Sequence, residues 1–214
     1  MCSHYEPPLP EQVSQAFGVD LYEQGKLDLW PGYIGPFLRQ PAHADSQDEA
    51  SPAMEVLTGS FGLIPGWAKE VKKIVRKTYN ARSETVAEKP SYRNAWRRAQ
   101  HCIIPAAAIY EPDWRTGKPI PTRIARADGE IMGIAGLWEQ RREPGTGELL
   151  HSYTMLTVNA DDHAFMRNYH KPEDEKRMVV ILPRGLYGDW LKAPTSESAE
   201  FMRRYPADRL KVVM

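Results

Sequence analysis

Apolar positions recur along this chain with two different periods. Val13 and Phe17 stand four apart between Pro10 and Gly18, which predicts a short helix stopped by the glycine. Tyr92, Ala95, Trp96 and Ala99 repeat at i, i+3, i+4 and i+7, predicting a second helix over 91–99. Elsewhere the period shortens. Met54 to Ile64 has strand character and ends at Pro65-Gly66, and residues 103–110 form an apolar run read as one buried strand, with Pro105 near its start. Thr122–Arg126 and Ile131–Trp138 flank Asp128-Gly129, a dipeptide suited to tight reversals, which predicts a hairpin. A turn at Glu143–Gly147 leads into a strand over 152–158. A further strand is expected over 177–182, then helical stretches at 184–191 and 196–204, while the Gln, Asp, Ser and Pro of residues 40–53 predict an exposed loop. Many short strands without βαβ alternation predict an α+β fold. We expect one compact domain over 1–214, mainly antiparallel β in an open-barrel-like arrangement with a few short peripheral helices. Its core would span about 2–190, with a tail of helix and strand over 191–214.

Composition narrows the class. The chain has 214 residues, 42% of them hydrophobic, enough for a substantial core. Its longest apolar run, Cys102 to Tyr110, is far shorter than the ~20 residues of a membrane span. The first residues lack a basic segment followed by an apolar one, so neither a secretory leader nor a membrane partner is expected, and a cytoplasmic location is. Two cysteines, Cys2 and Cys102, are too few for a disulfide framework and form no C-x-x-C zinc pair, so no metal and no cofactor is implied. Twenty-eight basic and twenty-eight acidic residues cancel, which excludes a globally basic nucleic-acid binder.

The cancellation hides an uneven distribution. Residues 1–60 carry nine acids against two bases, whereas residues 69–98 carry ten bases against three acids. Tyr79, Tyr92 and Trp96 interleave with those bases. Cations for phosphates and flat rings for unpaired bases are the composition of a single-strand binding groove. A solvated charged segment is the plainer alternative.

Cys2 carries the most distinctive chemistry. Were Met1 removed, the chain would begin with an α-amine and a thiol two carbons apart. An α-amine titrates near about 7.7–8.0, against about 10.4 for lysine, so an appreciable fraction is neutral at pH 7. Such an amine attacks an aldehyde to give an imine, and the thiol can then close a five-membered thiazolidine. No internal cysteine can do this, because its nitrogen is tied up in a peptide bond. An incidental terminal cysteine is the alternative.

Further segments bear on that choice. Asn80-Ala81-Arg82-Ser83-Glu84-Thr85 follows the basic run, and Phe61-Gly62-Leu63-Ile64-Pro65-Gly66-Trp67 precedes it. With Cys2, the 103–111 run ending in Glu111, Ala135–Glu139 and Arg177–Leu182, these blocks make the chain resemble the SOS-response-associated peptidase family from residue 2 to about 190. The resemblance implies self-removal of Met1 and covalent capture, by the exposed cysteine, of abasic sites in single-stranded DNA. It also implies roles: Cys2 as the crosslinking nucleophile, Asn80 as hydrogen-bond partner of the N-terminus and sugar, and Arg82 as a phosphate ligand. Glu111 would be the general acid/base, His170 the histidine aiding ring opening and imine reversal, and Trp67 an aromatic along the DNA path. His163 competes with His170, because the block joining the histidine to Arg177-Met178 is stretched here by His170-Lys171-Pro172-Glu173-Asp174-Glu175-Lys176. Cys2-Ser3-His4 replaces the usual Cys-Gly-Arg, which leaves His4 as a weak substitute phosphate contact. Lys72 and Lys73 are the best candidates in the basic run. The expected partner is abasic single-stranded DNA, bound by a monomer. Two rival readings are an N-terminal-cysteine amide hydrolase and a non-covalent single-strand binder.

Overall fold

The computed structural model describes residues 2–20, 22–41 and 53–213. The predicted loop at 40–53 falls almost entirely outside the described residues.

The chain opens with β1 (His4–Glu6) and α1 (Pro10–Phe17), where Val13 and Phe17 are buried and Gly18 at φ 67° ends the helix. The left-handed conformation there is one that glycine adopts without strain. Next come β2 (Ile34–Arg39) and β3 (Glu55–Phe61). A single-turn α2 (Val71–Ile74) runs through a 3-10 turn into β4 (Asn80–Arg82), followed by α3 (Arg93–Arg97). Strands β5 (His101–Ala106), β6 (Ala108–Asp113), β7 (Ile120–Arg126), β8 (Met132–Arg142) and β9 (Leu149–Asn159) form the central block. The chain ends with β10 (Arg177–Val179), β11 (Ile181–Leu182), α4 (Tyr187–Lys192) and β12 (Leu210–Val213).

Strands β9, β3, β2, β5 and β8 pair in that order, and β8 pairs back onto β9, so five strands close a barrel. The α+β expectation of mainly antiparallel pairing with few short helices holds. Two parallel pairings, β3 with β9 and β4 with β9, make the sheet mixed. A second sheet, β1-β6-β7-β12, is wholly antiparallel.

Three sequence expectations are corrected. The run at 103–110 is two strands, not one. It turns at Ala107, whose amide donates to the Glu6 carbonyl, and so passes from the barrel into the second sheet. The 177–182 run also divides, at Val180: β10 pairs with β9 and β11 with β8. Val180 bridges the gap where those partners diverge, donating to Leu156 O and accepting from Ala135 N. Lastly, Asp128-Gly129 makes its turn, with Gly129 at φ 80°, but joins strands of different sheets. The edge of β7 beside that turn is taken by β12, with Leu210 opposite Arg126, and β8 belongs to the barrel.

Buried aromatic and aliphatic side chains fill the space between the sheets. Tyr5 of the second sheet meets Tyr153 of the barrel hydroxyl to hydroxyl at 2.5 Å, with Phe61 stacked on Tyr153 and Phe37 alongside. Gly35 lies against this pair because any Cβ there would collide with Leu29 and the Tyr153 hydroxyl. Packing of this density fixes the angle between the sheets, and so the place where their strand ends converge.

Candidate functional site

Four segments distant in sequence meet at one end of the junction between the sheets. Cys2 precedes β1, Glu111 lies in β6, Asn80 opens β4, and His170 follows the 3-10 turn at 166–168. Alternation along β6 places Glu111 on the same buried face as Ile109, so a carboxylate with 1% exposure replaces what the pattern would make an apolar side chain. Buried carboxylates need partners. His170 Nε2 stands 2.9 Å from Glu111 Oε2. The His170 backbone adopts φ 65°, uncommon for a non-glycine residue, and is held there by its amide donating to Pro112 O at 2.8 Å. The strand carrying Glu111 therefore also holds the turn that delivers the histidine.

Asn80 completes the corner from the barrel side. Its Nδ2 donates to the Cys2 carbonyl at 2.7 Å, and its own carbonyl accepts from the Tyr92 hydroxyl at 2.9 Å. Asn80 Oδ1 is buried and accepts no hydrogen bond among the described residues. Cys2 is 1% exposed, with Sγ 3.4 Å from the His4 carbonyl. Burial strips water from the thiolate and the Glu111 charge repels it, so the thiol is pushed far up from its ordinary value and stays neutral. The sequence reading named Tyr79, the residue before Asn80, as a ring among the basic residues and not as part of the Cys2 corner. It is partly buried, and its hydroxyl is pushed up by desolvation and then by the neighbouring Cys2 and Glu111. Its adjacency to the Asn80 block was the available signal.

The remaining candidates lie further out. Arg82, two residues along β4 from Asn80, shares its strand face and is half exposed, with Nη1 2.6 Å from Glu175 Oε2. Buried Arg177 pairs with Glu84 at 2.8 Å and with Glu175 Oε1 at 2.8 Å. His4 is enclosed: its ring lies between Trp30 and Tyr110 at 4.2 and 4.0 Å, nearly parallel to both, and Nε2 is 2.7 Å from Asp28 Oδ1. Trp67 is 55% exposed, its Nε1–H reaching Pro90 O at 3.3 Å. Lys72 and Lys73 are exposed on α2, with Lys73 paired to Glu70 at 2.6 Å. His163 lies elsewhere, buried, with Nε2 2.8 Å from Tyr205 O and Nδ1 accepting from the Met166 amide. Both its nitrogens are engaged, so it is His170 and not His163 that meets Glu111. Among the described residues no group of three or more His, Cys, Asp or Glu is placed to hold a metal ion. No helix there is long and apolar enough to cross a membrane.

Comparison with known proteins adds names to this geometry. The family model described as SOS response associated peptidase (SRAP) matches residues 1–214. The abasic site processing protein YoqW of Bacillus subtilis is 34% identical over 157 residues, covering 71% of this chain and 65% of that protein. The abasic site processing protein HMCES of Gallus gallus is 29% identical over 205 residues, covering 84% of this chain and 58% of that one. The chain thus spans 65% and 58% of the length of these two curated relatives. A crystal structure of a protein from Bordetella bronchiseptica superposes over the whole of both chains with a TM-score of 0.89 at 48% identity.

Proposed function

The chain belongs to the SOS response associated peptidase family, and from that premise we propose that it processes abasic sites in single-stranded DNA by forming a covalent adduct through Cys2 once Met1 has been removed. One observation carries the reading: Cys2 sits buried against Asn80 and beside the Glu111–His170 pair, at a corner assembled from four separate segments.

The chemistry follows from the groups present. Hydrolysis of the Met1–Cys2 peptide bond consumes one water and frees the Cys2 α-amine. The orphaned Asn80 Oδ1 is then an acceptor for that amine, since Asn80 Nδ2 already holds the adjoining carbonyl. An abasic deoxyribose is mostly a closed hemiacetal. Opening it requires a proton for the ring oxygen and removal of one from the anomeric hydroxyl, and Glu111 with His170 supplies a proton-handling pair at hydrogen-bond distance. The amine adds to the aldehyde carbon and water leaves, giving an imine. The Cys2 sulfur then adds to the same carbon while the thiol proton passes to the imine nitrogen, and a thiazolidine closes. A neutral thiol suits this last step, because sulfur and proton are both delivered to one C=N bond. Arg82 and the exposed Lys72, Lys73 and Trp67 would hold the flanking strand through phosphate and base contacts.

Incubation with a single-stranded oligonucleotide bearing one abasic site should give a heat-stable, slower-migrating band, and the purified protein should have the intact mass of the chain lacking one methionine. No such band from wild-type protein, or its persistence in Cys2→Ala, defeats the proposal. Salt-sensitive binding without adduct would favour the non-covalent reading. Turnover of amide substrates would favour the hydrolase.

A further inference from the structure

The stretched segment before Arg177 places an acid where a DNA phosphate would be expected. Glu175 spreads its carboxylate over two guanidinium groups, Oε2 on Arg82 at 2.6 Å and Oε1 on Arg177 at 2.8 Å, with Asn159 Nδ2 donating to Oε1 at 3.1 Å. Two oxygens of one anion bridging two arginines is how a phosphate would occupy the same place. Arg177 does not need this partner. Glu84 already grips it through both oxygens, at 2.9 and 2.8 Å, and Thr157 O accepts from it at 2.8 Å.

The segment is built to present the acid. Lys176 is buried and turns back into its own loop, donating Nζ to the carbonyls of Lys171, Pro172 and Asp174, while its amide donates to Asp161 Oδ1 at 2.7 Å. These bonds wrap residues 171–175 into a fixed turn. Charge completes the argument. Arg82 and Arg177 are balanced by Glu84 and Glu175, so the cluster is neutral as it stands and gains one positive charge when Glu175 is displaced.

We propose that Glu175 is an internal stand-in for a backbone phosphate, which occupies Arg82 in the free protein and must be displaced by an incoming strand. Glu175 thereby weakens the hold on undamaged single strands and leaves the lesion's own chemistry to decide capture. An exposed ion pair of this kind is cheap enough to exchange. The inference rests on the reading of Arg82 as a phosphate ligand.

The test measures equilibrium binding of an undamaged oligothymidylate, by fluorescence anisotropy over a range of salt, to wild type and variants whose thermal midpoints are recorded alongside. Glu175→Gln, which keeps the side chain's shape, should tighten binding about three- to fivefold, the size expected on removing one exposed ion pair. The log–log salt dependence should keep its slope, because Arg82 neutralises the same phosphate in both proteins once Glu175 is displaced. Glu175→Ala, in which Arg177 keeps Glu84, should do the same. Glu173→Gln removes an acid from the same loop and should leave affinity unchanged, and Arg82→Ala should erase the gain from Glu175→Gln. The inference is overturned by unchanged or weaker binding in Glu175→Gln, by no measurable binding in either protein, by an equal gain in Glu173→Gln, or by a gain that survives Arg82→Ala. Adduct formation at an abasic site, scored separately at saturating DNA, distinguishes failures. No adduct with an Arg82-dependent gain sinks the abasic reading alone, and adduct without any gain sinks this one alone.

Discussion

Two corners of the molecule each combine a buried cysteine with a histidine. One gathers Cys2, His170, Asn80 and Glu111; the other gathers Cys102, His101, Ser198 and Trp190. Both cysteines are buried and both thiols are pushed up by desolvation. Both histidines have a polar partner: Glu111 at 2.9 Å for His170, Ser198 Oγ at 3.0 Å for His101. The difference lies in what surrounds them. Around Cys102 most groups close on one another, although His101 Nδ1, like Asn80 Oδ1, is buried without a hydrogen bond among the described residues. Trp190 stacks on His101 with ring centroids 3.9 Å apart and donates Nε1–H to Cys102 O at 2.9 Å, and Ser198 donates to Pro194 O. Around Cys2 there is a buried carboxylate, a buried Asn80 acceptor with no donor among the described residues, and a histidine on left-handed backbone. A buried carboxylate and a left-handed histidine, with arginine and lysine just outside, separate the corner proposed for chemistry from the one that packs.

Exchanging sulfur for oxygen at each cysteine should break the comparison most sharply if it is wrong. Cys2→Ser keeps the mature amine but cannot close the sulfur ring. Its heat-stable adduct should fall at least about a thousandfold, leaving an imine trapped only by a reducing agent. Cys102→Ser should leave the adduct rate within about twofold of wild type, and should lower unfolding free energy by about 1–3 kcal/mol in a urea titration, the toll of a buried hydroxyl. Equal adduct yields from the two variants would show that neither thiol is special.

Glu111→Gln comes next in size. The amide fills the same buried place without accepting or releasing a proton. Single-turnover adduct formation should therefore slow by about a hundredfold or more, while affinity for undamaged strand stays put. A loss of affinity matching the loss of rate would instead make Glu111 a scaffold for β6 and the His170 turn.

How much of this was legible without coordinates differs between the corners and follows from physics. Cys2, Asn80, Glu111 and His170 were named from their blocks, and the strands bring all four together. The place of Tyr79 at this corner and the role of Glu175 could not be read from the sequence, since both depend on β4 running parallel to β9, a pairing with no local signature. Hydrophobic runs at 103–110 and 177–182 read as single strands because a strand and a strand that changes partners midway are equally apolar. Asp128-Gly129 reported its turn truthfully, because dihedral preference is local. Its strand partners were set by β12 arriving from more than eighty residues away.

The last effect belongs to the packing corner and concerns acid. Burial holds the His101 imidazole down to about 4, so the folded protein resists the proton that an unfolded histidine takes up near pH 6.5. Between those values the unfolded chain binds more protons, and stability must fall as pH is lowered. Above about pH 6.5 the contribution is complete, and by about pH 4 it is lost, roughly 3 kcal/mol at about 1.4 kcal/mol per unit. His101→Phe keeps a ring over Trp190 and removes the titration, and Ser198 retains its bond to Pro194 O at 3.1 Å. Unfolding titrations at pH 7 and pH 4.5 should therefore show a smaller acid loss in the variant than in wild type. Some slope should survive, since His151 is also held below its ordinary value by desolvation and by Arg39. An unchanged slope would mean that His101 takes its proton inside the fold. The Cys102 corner would then admit charge as the Cys2 corner is proposed to, and enclosure would no longer separate them.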